Sequence, residues 1–275
     1  MATALEHIVK MRGGAQSHLL RCSHRAASGE IRDDGYFVVK FRNNPQHVRI
    51  LANELLAARL ADLVGLPVPL VEQVEVPEEL IAGTPELSIE LPGGSERCAW
   101  GRQIGSKFPG DPRYTAVFDW IPDETLDHVS NLEAFWGALV FDQWVCNTDG
   151  RQTVFYRQAG HQQYKVLLID QGFCFNDGEW NFPDAPLRGL YLRRRVYLGV
   201  TGWSSLEKWM QRIELMDPAA MERIFQDVPP EWCGADGEAG LEDLYNRLLR
   251  RRQRLRDLLT AVRKSAANPF PYWKE

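Results

Sequence analysis

Two apolar runs, Thr153 to Tyr156 and Tyr164 to Ile169, are separated by a short stretch with Ala159-Gly160 near its turn, and each is bordered by an aspartate. Runs of this length and composition read as the strands of a β-hairpin. Asp149 stands before the first, in Asn147-Thr148-Asp149-Gly150-Arg151-Gln152. Asp170 stands directly after the second, in Asp170-Gln171-Gly172-Phe173. Antiparallel strands joined by a short turn bring their outer ends together. The pattern therefore predicts the two carboxylates side by side, on a β-ribbon set inside a region otherwise patterned as helix.

The rest of the chain places that ribbon in an α+β frame. Residues 1–41 read as strands: Ile8 to Met11, a Gly13-Gly14 turn, Ser17 to Cys22, a turn-rich stretch Ala26 to Gly35, then Tyr36 to Phe41 with Lys40 near its end. A helix is predicted from about Gln46 to Val64, with Leu51, Leu55, Leu56, Leu60 and Leu63 on an amphipathic face and Gly65 and Pro67 as its stop. Leu66 to Val76 returns to extended structure. The Gly- and Pro-rich residues 77–112 read as loops with one short strand.

Ala116 to Pro122 is a compact apolar segment and the natural boundary. Beyond it, Ser130-Asn131-Leu132-Glu133 is a capping-box signature for a helix bearing Phe135, Trp136, Leu139, Val140 and Trp144. After the hairpin, helices are predicted over Ser204 to Leu215, Pro218 to Asp227 and Leu241 to Arg263. The order predicts a bilobal, protein-kinase-like plan, with a β-rich lobe over 1–115 and a mostly helical lobe over 116–275. At 275 residues the chain is long enough for one large domain or two lobes.

Composition narrows the function classes. A net charge of −5 argues against a general nucleic-acid binder. Five scattered cysteines without CxxC spacing favour free thiols in a reducing compartment. Met1 to Arg12 has no long apolar core and no run is long enough to span a bilayer, so a cytoplasmic location is expected. No P-loop, dinucleotide glycine pattern, nucleophile elbow or zinc spacing occurs.

Paired carboxylates suit phosphoryl transfer from ATP, one for the acceptor hydroxyl and one for Mg²⁺. Lys40, taken alone, reads as a strand-end lysine snorkelling to water, and Glu54 as a solvated helix charge. Together they match the strand lysine and helix glutamate that hold ATP phosphates. Asp149 alone is a plain turn residue, and Asp170 the cap of the next turn. Gly13-Gly14 reads either as an ordinary hairpin turn or as a phosphate-covering one. The arginines from Arg247 to Arg256 read as solvated flanks of a stripe formed by Leu244, Leu248, Leu255, Leu258, Leu259 and Val262. Arg193-Arg194-Arg195 reads as a solvated face or a dock for an acidic substrate.

These residues carry a resemblance to the HipA-like kinase family, itself related to the phosphoinositide-kinase and protein-kinase fold. The matching strings are Val38-Val39-Lys40, Asn53-Glu54-Leu55 with Leu63 to Pro69, Cys146 to Gly150, and Ile169 to Gly172. The resemblance implies that Lys40 binds the ATP phosphates, Asp149 is the catalytic base and Asp170 holds Mg²⁺. It also implies that Val117, Phe118, Asp119 and Trp120 line the adenine pocket, and that the acceptor is a protein Ser or Thr. The family's second metal contact, an asparagine five positions after the base, is replaced by Val154, and its loop histidine by Arg151. Gln152 or Thr153 is the candidate to take over as metal and nucleotide contact. The substitution leaves a second reading open, a pseudokinase that binds nucleotide and regulates a partner. HipA toxins work beside a DNA-binding antitoxin, and nothing in this chain encodes one.

Overall fold

Phe37 and Val39 alternate with less buried neighbours, and in the computed structural model, which describes residues 1–25 and 30–274, both turn fully inward. They line a closed five-stranded barrel ordered β1 (Ala2–Lys10), β2 (His18–Arg25), β3 (Ile31–Lys40), β7 (Gly101–Lys107) and β4 (Val71–Val76). Neighbours run antiparallel except at the closing seam, where β1 meets β4 in parallel through Ala2 and Thr3. Helix α1 (Arg49–Leu63) makes the crossover that precedes β4. The first strand starts well before Ile8. Much of the turn-rich stretch expected up to Gly35 is β3, and its residues 26–29 lie outside the described residues.

Residues 77–112 depart most from expectation. They form α2 (Glu78–Gly83), the hairpin β5 (Ser88–Leu91) and β6 (Gly94–Arg97), and the barrel strand β7. Glycine hid β7. A Cβ on Gly105 would lie 2.4 Å from Val74 Cγ2 and 3.2 Å from Phe37 Cδ1, so the barrel interior leaves no room for a side chain there.

The remaining elements are β8 (Thr115–Phe118), α3 (Ala134–Val145), β9 (Gln152–Gln158), β10 (Lys165–Ile169), α4 (Glu207–Glu214), α5 (Pro218–Gln226), α6 (Gly237–Arg251) and α7 (Leu255–Lys264). The hairpin β9–β10 forms as expected and is joined by β8 into a three-stranded sheet. The architecture is α+β.

Two apolar clusters organise it. A smaller one fills the barrel and the underside of α2, with Leu20, Phe37, Val39, Val74 and Ile81. The larger runs from α1 through α3 to α7. Each fully buried Leu or Phe in them contributes roughly 1.5–3 kcal/mol. Helix α1 is buried on nearly every side rather than along one stripe, and Leu63 of the expected face is 45% exposed. Among the described residues no helix is long and apolar enough to cross a membrane.

The capping box does not form. Helix α3 starts at Ala134 without a side-chain cap. Ser130 N instead donates to Tyr164 O (2.9 Å), and Asn131 pairs through both amide atoms with Val166 N and O (2.8 and 2.9 Å). The edge of β10 thus outcompetes the helix terminus for these side chains. Arg251 and Arg252 are also not solvated flanks. Arg251 donates to Trp144 O and Gln143 O, closing the end of α3, and Arg252 donates to Met216 O. The leucine stripe beside them is buried as expected, and all five cysteines are free.

Candidate active site

The end of β3 is fixed from two sides. Asn44 folds back to Phe41 O (2.9 Å), and buried Gln103 on β7 accepts from Arg42 N (2.7 Å). This delivers Lys40, only 9% exposed, to the flank of α1. Its ammonium donates to Glu54 Oε1 and to Asp170 Oδ1, the latter at 2.5 Å. Three residues separated by up to 130 positions thus converge on one charge.

Burial opposes the charge of Lys40, but the two carboxylates outweigh it and hold the ammonium above the ordinary lysine range. For Asp170, burial likewise opposes ionisation, and the Lys40 charge and hydrogen bond outweigh it, so its carboxyl titrates below the usual value. Asp170 takes a left-handed backbone, φ 58°. Aspartate tolerates this better than most residues.

The loop after Asp170 is seated on α1. Gly172 N donates to Glu54 Oε1 (3.0 Å), while Asn53 Nδ2 donates to Gly172 O (2.7 Å) and Asp177 O (2.8 Å). Trp180 Nε1 in turn donates to Asn53 Oδ1 (2.8 Å). A Cβ on Gly172 would sit 2.8 Å from Ile50 Cγ2 and 3.4 Å from Glu54 Oε1. Gly172→Ala is therefore expected to cost about 1–3 kcal/mol through overpacking, read from the midpoint of a urea unfolding curve.

Asp149 follows from how α3 ends. Cys146 adopts the left-handed helix-stop conformation, φ 52°, and turns the chain into Asn147-Thr148-Asp149. Thr148 N and Oγ1 both donate to Phe173 O (3.1 and 3.2 Å), which binds this loop to the one carrying Asp170. The half-buried Asp149 carboxylate accepts from Gly150 N (2.7 Å) and from Gln152 Nε2 (2.9 Å). Gln152 pairs with Ile169 across the hairpin.

Side chains alternate along β9. Val154 therefore shares the face of Gln152, while Thr153 faces the other way, buried, with a hydroxyl that has no partner among the described residues. Of the two candidate replacements, Gln152 is the one beside Asp149.

Val117 to Trp120 lie on β8 and just beyond it. Phe118 packs edge-on against Tyr164, and Trp120 is 61% exposed beneath the Arg193 guanidinium. These contacts run toward the hairpin and the 193–195 segment. Arg193 and Arg195 are paired with Asp123 and Asp127. The Gly13-Gly14 turn is closed by Met11 N donating to Ser17 O (2.8 Å), and Gln16 ties it to Glu90 of β5.

Two features escaped the sequence. Asp142 and Arg151 form a fully buried ion pair beside the Asn147–Asp149 loop. The available signal was a lone acid in an otherwise apolar stretch of α3, nine positions before a lone arginine. Strand pairing also gathers His24, Asp34 and Glu72 within 4.8 Å, although the Lys107 ammonium already stands 2.9 Å from Asp34. An open depression of about 920 Å³ lies elsewhere, between the end of α1 and α4, where Leu63, Gly65 and Arg212 meet. Converging charge, not concavity, singles out the Lys40 cluster.

A family model described as HipA-like kinase matches residues 22–258. No curated protein matches the chain. Its fold is similar to that of the proinflammatory kinase CtkA of Helicobacter pylori, at 13% identity, covering 94% of this chain and 95% of that one, with a TM-score of 0.55. Weaker likenesses are to a golgi casein kinase (11% identity, 94% and 73% covered, TM-score 0.49) and to HipA in a Shewanella oneidensis MR-1 toxin–antitoxin complex with HipB and operator DNA (13%, 94% and 68%, 0.45).

Proposed function

The chain belongs to the HipA-like kinase family, and from that membership we propose that it transfers the γ-phosphate of ATP, in a Mg²⁺-dependent step, to a hydroxyl acceptor, a Ser or Thr of a protein. The observation that carries the proposal is the single buried ammonium of Lys40 held between Glu54 and Asp170. Strand-rich residues 1–115 and helix-rich residues 116–275 are read as two lobes. The first supplies Lys40 and Glu54, and the second supplies Asp149, Asp170 and an adenine-facing segment at Val117 to Trp120.

The residues fit Mg²⁺. It demands hard oxygen donors and keeps several waters. Asp170 offers an ionised carboxylate, and Gln152, whose amide nitrogen is committed to Asp149, has its carbonyl oxygen left to give. When bound, Mg²⁺ neutralises phosphate charge and orients the transferring group. Lys40 exchanges part of its carboxylate contact for phosphate oxygens, and Glu54 keeps it aimed. Asp149, fixed by Gly150 and Gln152, accepts the proton of the attacking hydroxyl. The protein's share of catalysis is positioning and charge stabilisation.

Val154 favours a second reading, a nucleotide-binding pseudokinase, because it puts an apolar side chain where the family carries a metal-binding asparagine. A thermal-shift titration tests the nucleotide site common to both. ATP with Mg²⁺ is expected to stabilise the wild type by about 2.7 kcal/mol at a hundredfold excess over the dissociation constant, and the Asp170→Asn and Lys40→Met/Glu54→Gln variants much less. An unmoved wild-type melting curve overturns both readings. Phosphate transfer above an Asp149→Ala control separates them.

A further inference from the structure

The buried ion pair between Asp142 and Arg151 sends one arm to each of the two acidic loops. On one side Asp142 Oδ1 accepts from Asn147 Nδ2 (3.2 Å), and Asn147 Oδ1 accepts from Asp149 N (3.2 Å). On the other, Arg151 Nη1 donates to Ile169 O (3.2 Å) and Gln171 Oε1 (3.0 Å), the residues immediately before and after Asp170. Its Nε and Nη2 meanwhile grip the two Asp142 oxygens. The guanidinium and carboxylate are 1% and 0% exposed, so neither has water as an alternative partner. A planar fork with five donors can hold both sides at once, whereas an imidazole, with two ring nitrogens, cannot make these four contacts.

We propose that Arg151 is a positioning residue that sets the spacing of the Asp149 and Asp170 loops and thereby the affinity of the site for its divalent cation. The inference rests on the kinase reading above. Groups that orient a metal ligand without touching the metal typically change affinity by about 10–100-fold when lost.

Removing one member of a buried pair strands the other charge. The test therefore uses Asp142→Asn/Arg151→Gln, which is neutral throughout, and Arg151→Lys, which keeps the ion pair but not the fork. Mn²⁺ binding in the presence of a non-hydrolysable ATP analogue is followed by electron paramagnetic resonance, with melting curves identifying the folded variants. Both variants are expected to bind Mn²⁺ about 10–100-fold more weakly and the nucleotide without metal as wild type does. A purely structural role would lower melting temperature and leave Mn²⁺ affinity in the folded fraction untouched, and that result overturns the inference alone. A wild type that binds no Mn²⁺ with the nucleotide overturns the kinase reading as well.

Discussion

Asp170→Asn is expected to lower Mg²⁺-dependent ATP turnover on the order of 10³-fold, the scale on which a single electrostatic contact to the transition state counts. Asparagine is the informative replacement. It tolerates the left-handed backbone that position 170 requires, and it keeps an oxygen to accept from Lys40. What it removes is the negative charge that draws the cation. Alanine at the same place adds a backbone penalty of about 1–2 kcal/mol, which would blur a loss of metal binding into a loss of fold. Steady-state turnover against Mg²⁺ concentration, beside a melting curve, reads the two effects separately.

Lys40 carries the second large effect, and it falls on stability as well as binding. Glu54 is 2% exposed and shares its Oε1 between Lys40 and Gly172 N. Lys40→Met leaves that carboxylate buried without a counter-charge, a defect of about 3–5 kcal/mol. For a chain of this size that corresponds to a fall in melting temperature of roughly 10 °C. Adding Glu54→Gln removes the fully buried one of the two stranded carboxylates, the other, Asp170, being 27% exposed to water, and is expected to recover most of the stability. The double variant should still bind ATP poorly, because no ammonium remains for the phosphates. A double variant that melts no higher than Lys40→Met would show that the pair is not what holds this part of the molecule.

The parts of the fold legible in the sequence were those fixed by local pattern. The hairpin at 152–169 announced itself through two apolar runs, a glycine near the turn and an aspartate at each end, and the two strands pair antiparallel from Gln152–Ile169 to Tyr156–Lys165. Lys40 and Glu54 each read locally as a solvated charge, and only their joint match to a strand lysine and helix glutamate pointed to the buried contact that they make.

What was not legible depends on distant partners. Strand β7 has two glycines and little β propensity, and it exists because Val74 and Phe37 need a flat stave between them. Ser130 opens a capping-box signature, yet its hydroxyl and its backbone N–H both donate to Tyr164 O, 34 positions away. Arg251 and Arg252 sit in a basic run that looks solvated, and only the docked end of α3 and the carbonyl of Met216 give them buried acceptors. The Asp142–Arg151 pair follows the same rule. Each residue alone breaks a local pattern, and only the fold shows that they satisfy each other.

The decisive property of this charge cluster is whether it moves phosphate. Incubation with ATP labelled at the γ-phosphate and Mg²⁺, comparing wild type with Asp149→Asn, measures that directly through label appearing on a protein hydroxyl. Labelling by the wild type that collapses in Asp149→Asn, with ATP still bound by both, is the predicted result. Equal labelling by the two proteins, or a wild type that binds Mg·ATP and never transfers its phosphate, would contradict it.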